Sequence, residues 1–584
     1  MTTICQTSIS VNRSQRTRGP GQPSKHTFDR IRSINQALVK AALAQQAIPA
    51  DRDLAERLGV SERTVRDIRL LVLGLNRWAL REWQRPQPSA PPERELICTT
   101  PFAGLWLLAS QLIDSGLTRA AERLQIGLRT RVQPLQVVLT LVAWAALGFQ
   151  RLFHVDEFRH WADMGLALFT GSLRLWSDTS LWRWVHGLTS ESAAEFYQTT
   201  ASQVAGRPGS QGRFSLDEHV VPSFSKLKPR RLGKTRVPTR GRSYPAFRLY
   251  VPFDLDLGRF VGVIVRKARE ALSQTVLSLV LEVRRLRRRA GIPNPDQVRL
   301  IIDRGAYKGS VFETLMDDPQ VSFIAMARAT ANNVRQWEAL PECLFRPYQT
   351  QGDDNPRLKM ARTHTTIRDC KYPLPSVVIR DDTPGTKQHW RVLFFKNPPG
   401  RRPQAETIDA EYRQRQEHEL GFSQYVHALV GHSLPKAYQM FREPNADGER
   451  RKTVSTAETP LSQQAVQLVA WIKFLIFNLI KDFGAALGKE YAHLQVATLV
   501  RRYLLRPGRL YLEAGCLIVQ LDPFRGAEAL QPFIQKLNQR HLAIHWLCGL
   551  ILQVEIAAQP QGLAAVPQVL GQKILANSYV ASPT

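Results

Sequence analysis

Gln297–Asp303 reads Q-V-R-L-I-I-D, an apolar run that stops on an acid. A near-continuous apolar stretch of this length describes a strand buried on both faces. The carboxylate at its end is either a plain strand-end group or part of a site. Working outward, Arg213–Val221 is strand-like and contains Asp217. Ala246–Asp254 and Arg259–Arg266 are two further apolar runs, joined by a turn at Asp256-Leu257-Gly258. An amphipathic helix is predicted over Glu270–Arg289. Another helix starts near Tyr307, and Val321–Ala325 is a further strand.

The order is three strands, helix, strand, helix, strand. This is the ribonuclease H-like arrangement, a mixed sheet with helices on its faces. The predicted fold class is multidomain α/β: a ribonuclease H-like mixed-sheet catalytic core with a β-rich insertion, preceded by helical, helix-turn-helix DNA-binding domains.

The chain has 584 residues, too many for one core. Lys and Arg number 79 against 50 Asp and Glu, a net charge of +29. A surplus that large favours a polyanionic partner. The basic residues are spread along the chain and not gathered on one amphipathic anchor, which favours nucleic acid over a membrane surface. The cysteines form no C-x-x-C pair, so neither a zinc ribbon nor a disulfide framework is suggested, and a reducing compartment is expected. The N-terminus lacks a signal peptide's apolar core. The apolar runs Leu135–Phe149 and Ala465–Ile480 read as buried helices, the first being short and the second holding Lys473.

The predicted organisation begins with a disordered basic arm, 1–25, and a helix-turn-helix domain, 26–82. Within it, Asp51–Leu71 reads D-R-D-L-A-E-R-L-G-V-S-E-R-T-V-R-D-I-R-L-L. Ala55 is small where two helices cross, Gly59 supplies the turn and Ser61 can cap the second helix. Val60, Val65 and Ile68 point inward. Arg63, Thr64, Arg66 and Arg69 are then candidates for a DNA groove. An ordinary helical hairpin would read the same. A Pro-rich linker, 83–99, leads to a Trp-rich helical domain, 100–205. Ser180–His186 there is a second candidate DNA contact, with core packing as its alternative. The catalytic core's first part is 206–329, the β-rich insertion 330–400, the second part 401–495, and a small α/β region 496–584.

His389–Lys396, H-W-R-V-L-F-F-K, is a strong strand. The stretch after it, Glu411–Phe422, is E-Y-R-Q-R-Q-E-H-E-L-G-F. On one unbroken helix Tyr412, Arg415 and Glu419 share a face, while Glu417 lies elsewhere. A solvated Arg–Glu pair would account for that face. A metal site would account for it as well. In the predicted sheet the strands bearing Asp217 and Asp303 are neighbours, so their acids meet at one end. A helix alongside brings Glu419 over the same spot. Three carboxylates together repel unless cations sit between them. Two Mg²⁺ (or Mn²⁺) ions roughly 3.5–4 Å apart would neutralise them and serve phosphodiester chemistry.

These residues resemble the DDE transposases, specifically the bacterial insertion-sequence group with the Y-x2-R-x3-E-x6-K signature. Tyr412, Arg415 and Glu419 match its first three positions. Asp217 in L-D-E-H-V-V-P and Asp303 in I-I-D-R-G-A-Y resemble the contexts of the two aspartates. The gap from Asp303 to Glu419 suits the β insertion that group carries. The signature lysine falls on Val426, so its substrate contact is missing in register. The resemblance implies a metal-dependent DNA transposase with Asp217, Asp303 and Glu419 as catalytic and metal residues. It also implies phosphate contacts from Tyr412 and Arg415, and a homodimer on double-stranded DNA comprising element ends and target. A bacterial, cytoplasmic, nucleoid-associated setting without a membrane follows from it too.

Lys226, Lys228, Arg230, Arg231, Lys234 and Arg236 lie between the first two strands in an interval free of acids, and would track a DNA backbone. Arg284–Arg289 is a second cluster, which also suits a helix C-terminus. Trp337 is a candidate platform for an unpaired base, with the core as its alternative. Two other functions use the same residues: a catalytically inactive, transposase-derived DNA-binding protein, and a metal-dependent nuclease without strand transfer.

Overall fold

A computed structural model describes residues 33, 34, 37, 40, 49–66, 94–125, 132–148, 163–172, 175–222, 234–237, 242–349, 357–385, 389–429, 431, 439–444, 450–455 and 460–558. Helix α1, Asp51–Leu58, ends on Gly59 in the left-handed conformation (φ 59°), which returns its N–H to the carbonyls of Ala55 and Glu56. Glycine adopts that geometry without steric cost. Residues 62–66 are helical again, and Ser61 Oγ accepts the Thr64 N–H at 3.2 Å. Leu54, Ala55 and Val65 are buried.

Strand β1 is Glu95–Thr100. Helix α2, Pro134–Ala146, is mostly apolar and buried throughout. Helix α3 is Ser190–Ala205. Trp106, Trp144, Trp176 and Trp184 all lie in the core.

The central sheet begins with β2, Arg213–Pro222. It continues with β3, Lys234–Val237; β4, Arg242–Asp254; β5, Arg259–Phe260; and β6, Ile264–Lys267. Helix α4, Leu272–Arg289, leads to β7, Val298–Ile302. Helix α5, Gly309–Asp317, leads to β8, Val321–Met326. Strand β4 runs antiparallel to β2, with β6 on its other side. Strands β2, β7 and β8 run parallel, as crossover helices between successive strands allow. The spatial order β6-β4-β2-β7-β8 is consistent with the ribonuclease H-like core predicted from the sequence.

The predicted insertion does not stand apart from this sheet. After α6, Ala331–Glu338, come β9, Arg346–Pro347; β10, Leu358–Thr365; β11, Leu374–Asp381; and β12, Trp390–Lys396. They form an antiparallel meander whose last strand pairs with β8, Leu393 opposite Met326, so the core sheet grows to 11 strands. The meander thereby covers an edge that β8 would otherwise expose.

Helix α7, Ala405–Arg413, and α8, Arg415–Ala428, follow. The single helix predicted here is broken at Gln414, where a hydrogen bond from Gln414 N–H to Glu411 O tightens the turn. After the β13–β14 hairpin, Gln439–Pro444 with Arg450–Ser455, helix α9 spans Pro460–Leu487. It ties the helical region to the core. Trp471 donates to Thr200 of α3 at 2.8 Å, and Lys473 lies 4.7 Å from the centre of the Trp144 ring of α2. Burial lowers the Lys473 ammonium pKa to about 7. Among the described residues no helix is long and apolar enough to cross a membrane.

The C-terminal region is completed by an earlier segment. β15, Gly508–Glu513; β16, Cys516–Leu521; helix α10, Gln531–Gln539; β17, Ala543–Ile544; and β18, Leu550–Ile556 form a small α/β unit. Its five-stranded sheet has β1 on one edge. Residues 95–99, read from the sequence as the end of a linker, are therefore strand. They pair with β15, and Arg94 beside them bonds to Glu555 (2.6 Å) and Glu513 (3.2 Å).

Candidate active site

Strand register brings the two aspartates together. Leu216 of β2 is the parallel partner of Ile302 of β7, so Asp217 and Asp303 come next on adjacent strands. Along β2, Ser215, Asp217 and His219 alternate onto one face. Helix α8 lies across that face and meets them with residues three and four apart. His418 Nδ1 is 3.0 Å from Ser215 Oγ, Arg415 bonds to Asp217, and Phe422 stacks on His219 at 5.4 Å. His418 is fully buried and stacks on Phe253 and Phe422 at 5.0 and 4.7 Å. Burial, helped by Arg415, holds its pKa well below the usual value.

One guanidinium collects all three candidate acids. Arg415 Nη2 is 3.2 Å from Asp217 Oδ2 and 3.4 Å from Asp303 Oδ1, while Nη1 pairs with Glu419 Oε1. Three carboxylates on one cation leave a net charge of minus two. The arginine side chain is 13% exposed, Asp217 14%, Asp303 26% and Glu419 52%, so the cluster is buried at its floor and open at Glu419. Burial raises the Asp217 carboxyl pKa to about 6. Arg415 opposes that rise; Asp303 and Glu419 add to it.

This shift has a stability consequence. A carboxyl with a folded-state pKa above its ordinary 3.8 favours the fold while protonated. That contribution is present below about pH 3.8 and is lost as pH rises through about 6, a change of about 3 kcal/mol. Asp217→Asn mimics the protonated form. It is expected to stabilise the protein at pH 7 in chelator, by up to about 3 kcal/mol, and to flatten the pH dependence of urea unfolding between about pH 4 and 7.

The helix break has its own supports. Arg213 and Arg299 are register partners at the start of β2 and β7. Arg299 Nη2 bonds to Glu411 Oε2 at 2.6 Å, and Arg213 Nη1 to Gln414 Oε1 at 2.9 Å. The same two strands thus hold the α7–α8 junction at one end and the acids at the other. The sequence alone singles out neither this ladder nor His418. The i, i+2 series Ser215-Asp217-His219 facing Arg415-His418-Phe422 is the signal that could have found them.

Other acids of the core have partners of their own. Glu218 faces the opposite side of the sheet and pairs with Arg248 at 2.6 Å. Asp254 accepts the N–H groups of Asp256 and Leu257, and Asp256 pairs with Arg213. Asp381 caps a turn at Thr383, and Asp382 pairs with Arg380 and Lys359.

The remaining predicted contacts lie in varied settings. Arg415, expected on DNA phosphate, is turned inward onto carboxylates. Tyr412 is buried, and burial raises its hydroxyl pKa. Trp337 is in the core, donating to Thr365 Oγ1 at 3.2 Å, because its indole packs against β10. It still lines a cleft of about 540 Å³ with Asp303, Arg304, Arg328, Trp390 and Arg391. In the Ser180–His186 stretch Leu181, Trp184 and Val185 are buried, the packing alternative, while Arg183 is exposed. The Arg284–Arg289 cluster is structural: Arg284 pairs with Asp318, Arg285 with Glu282, Arg288 with Asp296 and Arg289 with Glu195, while Arg287 lies over Phe214. Arg63 is exposed, Thr64 Oγ1 is 2.8 Å from Ser61 Oγ, and Arg66 pairs with Asp51 at 3.6 Å. Lys234 is exposed on β3, which also contains Arg236. Arg69, Lys226, Lys228, Arg230 and Arg231 lie outside the described residues.

The all-oxygen donor set suits a hard cation such as Mg²⁺ or Mn²⁺. Among the described residues no three His, Cys, Asp or Glu side chains stand, as they lie, where they could hold a metal ion. The acids converge through Arg415, with Asp217 Oδ2 and Asp303 Oδ1 on the same nitrogen.

No family model matches the chain, and no curated protein matches it. Among solved structures it is similar to piggyBac transposase in a synaptic complex with hairpin DNA. The identity is 11% and the TM-score 0.36, over 70% of this chain and 81% of that one.

Proposed function

We propose that the chain is a metal-dependent DNA transposase of the DDE type, with Asp217, Asp303 and Glu419 as its catalytic carboxylates. The observation that carries this is the convergence of those three acids, from two adjacent strands and one crossing helix, on a single cation. Mg²⁺ or Mn²⁺, held by these acids, would activate the attacking hydroxyl and neutralise charge at phosphorus. The chain's own part is placement. Strands β2 and β7 fix Asp217 and Asp303 at one level, and His418 and Phe422 seat α8 so that Glu419 overhangs them. The open side at Glu419 admits the backbone of double-stranded DNA. Arg304 and Arg328 in the adjoining cleft supply positive charge toward it.

The reaction is hydrolysis at an element end, followed by attack of the freed 3′-hydroxyl on target DNA. Two ends must be joined, so a homodimer on DNA is part of the proposal. So is DNA contact by Arg63, Thr64 and Arg66 from the helix-turn-helix segment. The test is to look for inverted repeats on either side of the coding region and to incubate the full chain with Mg²⁺ and DNA bearing them; absence of such repeats counts against the proposal. Nicking at the repeat boundary and joining to a second duplex supports the proposal. Nicking without joining would make it a nuclease, and binding without either would make it an inactive relative.

Charge sets a further expectation. A chain of net charge +29 that grips DNA by its backbone releases many counterions. Its affinity for duplex DNA is expected to fall about a thousand-fold or more between roughly 50 and 200 mM salt, read by fluorescence anisotropy.

A further inference from the structure

We infer that Arg415 is an internal counter-cation that holds the acidic site in the metal's absence, and that metal loading expels its guanidinium. The inference rests on the metal-dependent reading above and adds to it how the site is kept intact without metal.

Arg415 Nη2 lies between Asp217 Oδ2 and Asp303 Oδ1, at 3.2 and 3.4 Å, and the other arm of the fork holds Glu419. A divalent ion bound by both aspartates would need the ground that Nη2 occupies, because both present an oxygen to that point. The arginine is also more than an ordinary surface pair partner. It is largely buried, and its three partners come from three separate segments of chain. Without the cation, three acids in a half-buried pocket would repel one another.

The charge balance points the same way. One guanidinium leaves the cluster at minus two, so a dication is still drawn in and can outcompete a monovalent group. Once displaced, the guanidinium lies beside the open face at Glu419, where an incoming phosphate meets it. Arg415 is therefore a positioning residue in the metal-free protein, and its release couples metal binding to anion binding.

The test compares the wild type with Arg415→Gln and Arg415→Lys, as full chains, by Mn²⁺ binding and by thermal unfolding. Mn²⁺ binding is followed through the spin-resonance signal of free ion. Arg415→Gln is expected to bind Mn²⁺ about tenfold more tightly than wild type. Its melting temperature is expected to fall by about 5 °C in chelator and to recover to within about 2 °C of wild type in saturating Mn²⁺. A purely structural arginine would give the same melting deficit with and without metal. Equal or weaker Mn²⁺ binding by the variant, or a deficit that metal does not repair, overturns the inference alone. Absence of Mn²⁺ binding by wild type and variant overturns the metal-dependent reading with it. Should Arg415→Gln fail to fold, Arg415→Lys decides. It keeps the charge but cannot bridge three carboxylates, so it is expected to bind Mn²⁺ at least about threefold more tightly than wild type; unchanged binding overturns the inference.

Discussion

Asp303→Asn is expected to lower Mg²⁺-dependent cleavage of element-end DNA by at least about a thousand-fold, while DNA affinity stays within about threefold of wild type. Asparagine keeps the shape of the side chain and removes one of three charges that would hold the cation. The change leaves the fold in place, because Asp303 lies just beyond β7 and its strand is held by pairing on both sides. Removing a like charge also relieves repulsion on Asp217 and Glu419 in the metal-free state. Glu419→Gln is expected to behave in the same way, and more benignly for stability, since Glu419 is half exposed. Cleavage is read on a labelled duplex, with binding measured in Ca²⁺. Cleavage within about tenfold of wild type in both variants would remove these acids from the chemistry.

The second large effect is on stability. Arg299→Ala is expected to cost about 3–5 kcal/mol, because it leaves Glu411 without its partner in a mostly buried pair. Both side chains are at least 85% buried, so solvent cannot take over the lost interaction. The α7–α8 junction would then lose one of its two anchors, and Glu419 would lose its alignment over the aspartates. Activity should therefore fall more than folding alone explains. The double variant Arg299→Ala/Glu411→Ala is expected to recover a substantial part of the stability, since no charge is left buried alone. Urea unfolding of the two single variants and the double checks this. Additive losses would show that the pair is not coupled.

Much of the core was legible because its cues are local. An apolar strand ending on Asp303, a second strand carrying Asp217 and a helix between successive strands point to a mixed sheet with those two strands as neighbours, and the structure pairs them. The turn at Asp256-Leu257-Gly258 was also legible, and Asp254 accepts the N–H groups of Asp256 and Leu257 there. What was not legible depends on partners far apart in sequence. The break at Gln414 is held by Arg213 and Arg299, about two hundred and one hundred residues upstream, so the local run gives no breaker. The inward turn of Arg415 needs three acids from three segments. The strand at Glu95–Thr100 needs β15 as its partner, more than four hundred residues on. For the same reason the insertion reads as a separate β unit in sequence, although its last strand closes onto β8.

The most direct measurement is iron-mediated self-cleavage. Fe²⁺ can replace Mg²⁺ at oxygen sites, and with ascorbate and peroxide it generates radicals that cut the backbone beside it. The full chain, treated in this way and analysed by mass spectrometry, is expected to be cut near Asp217, near Asp303 and near Glu419. All three cuts should fade together as Mg²⁺ is added, and all three should weaken in Asp303→Asn. Cuts at only one of these places, cuts elsewhere that Mg²⁺ suppresses, or none at all would contradict a single metal site built from the three acids.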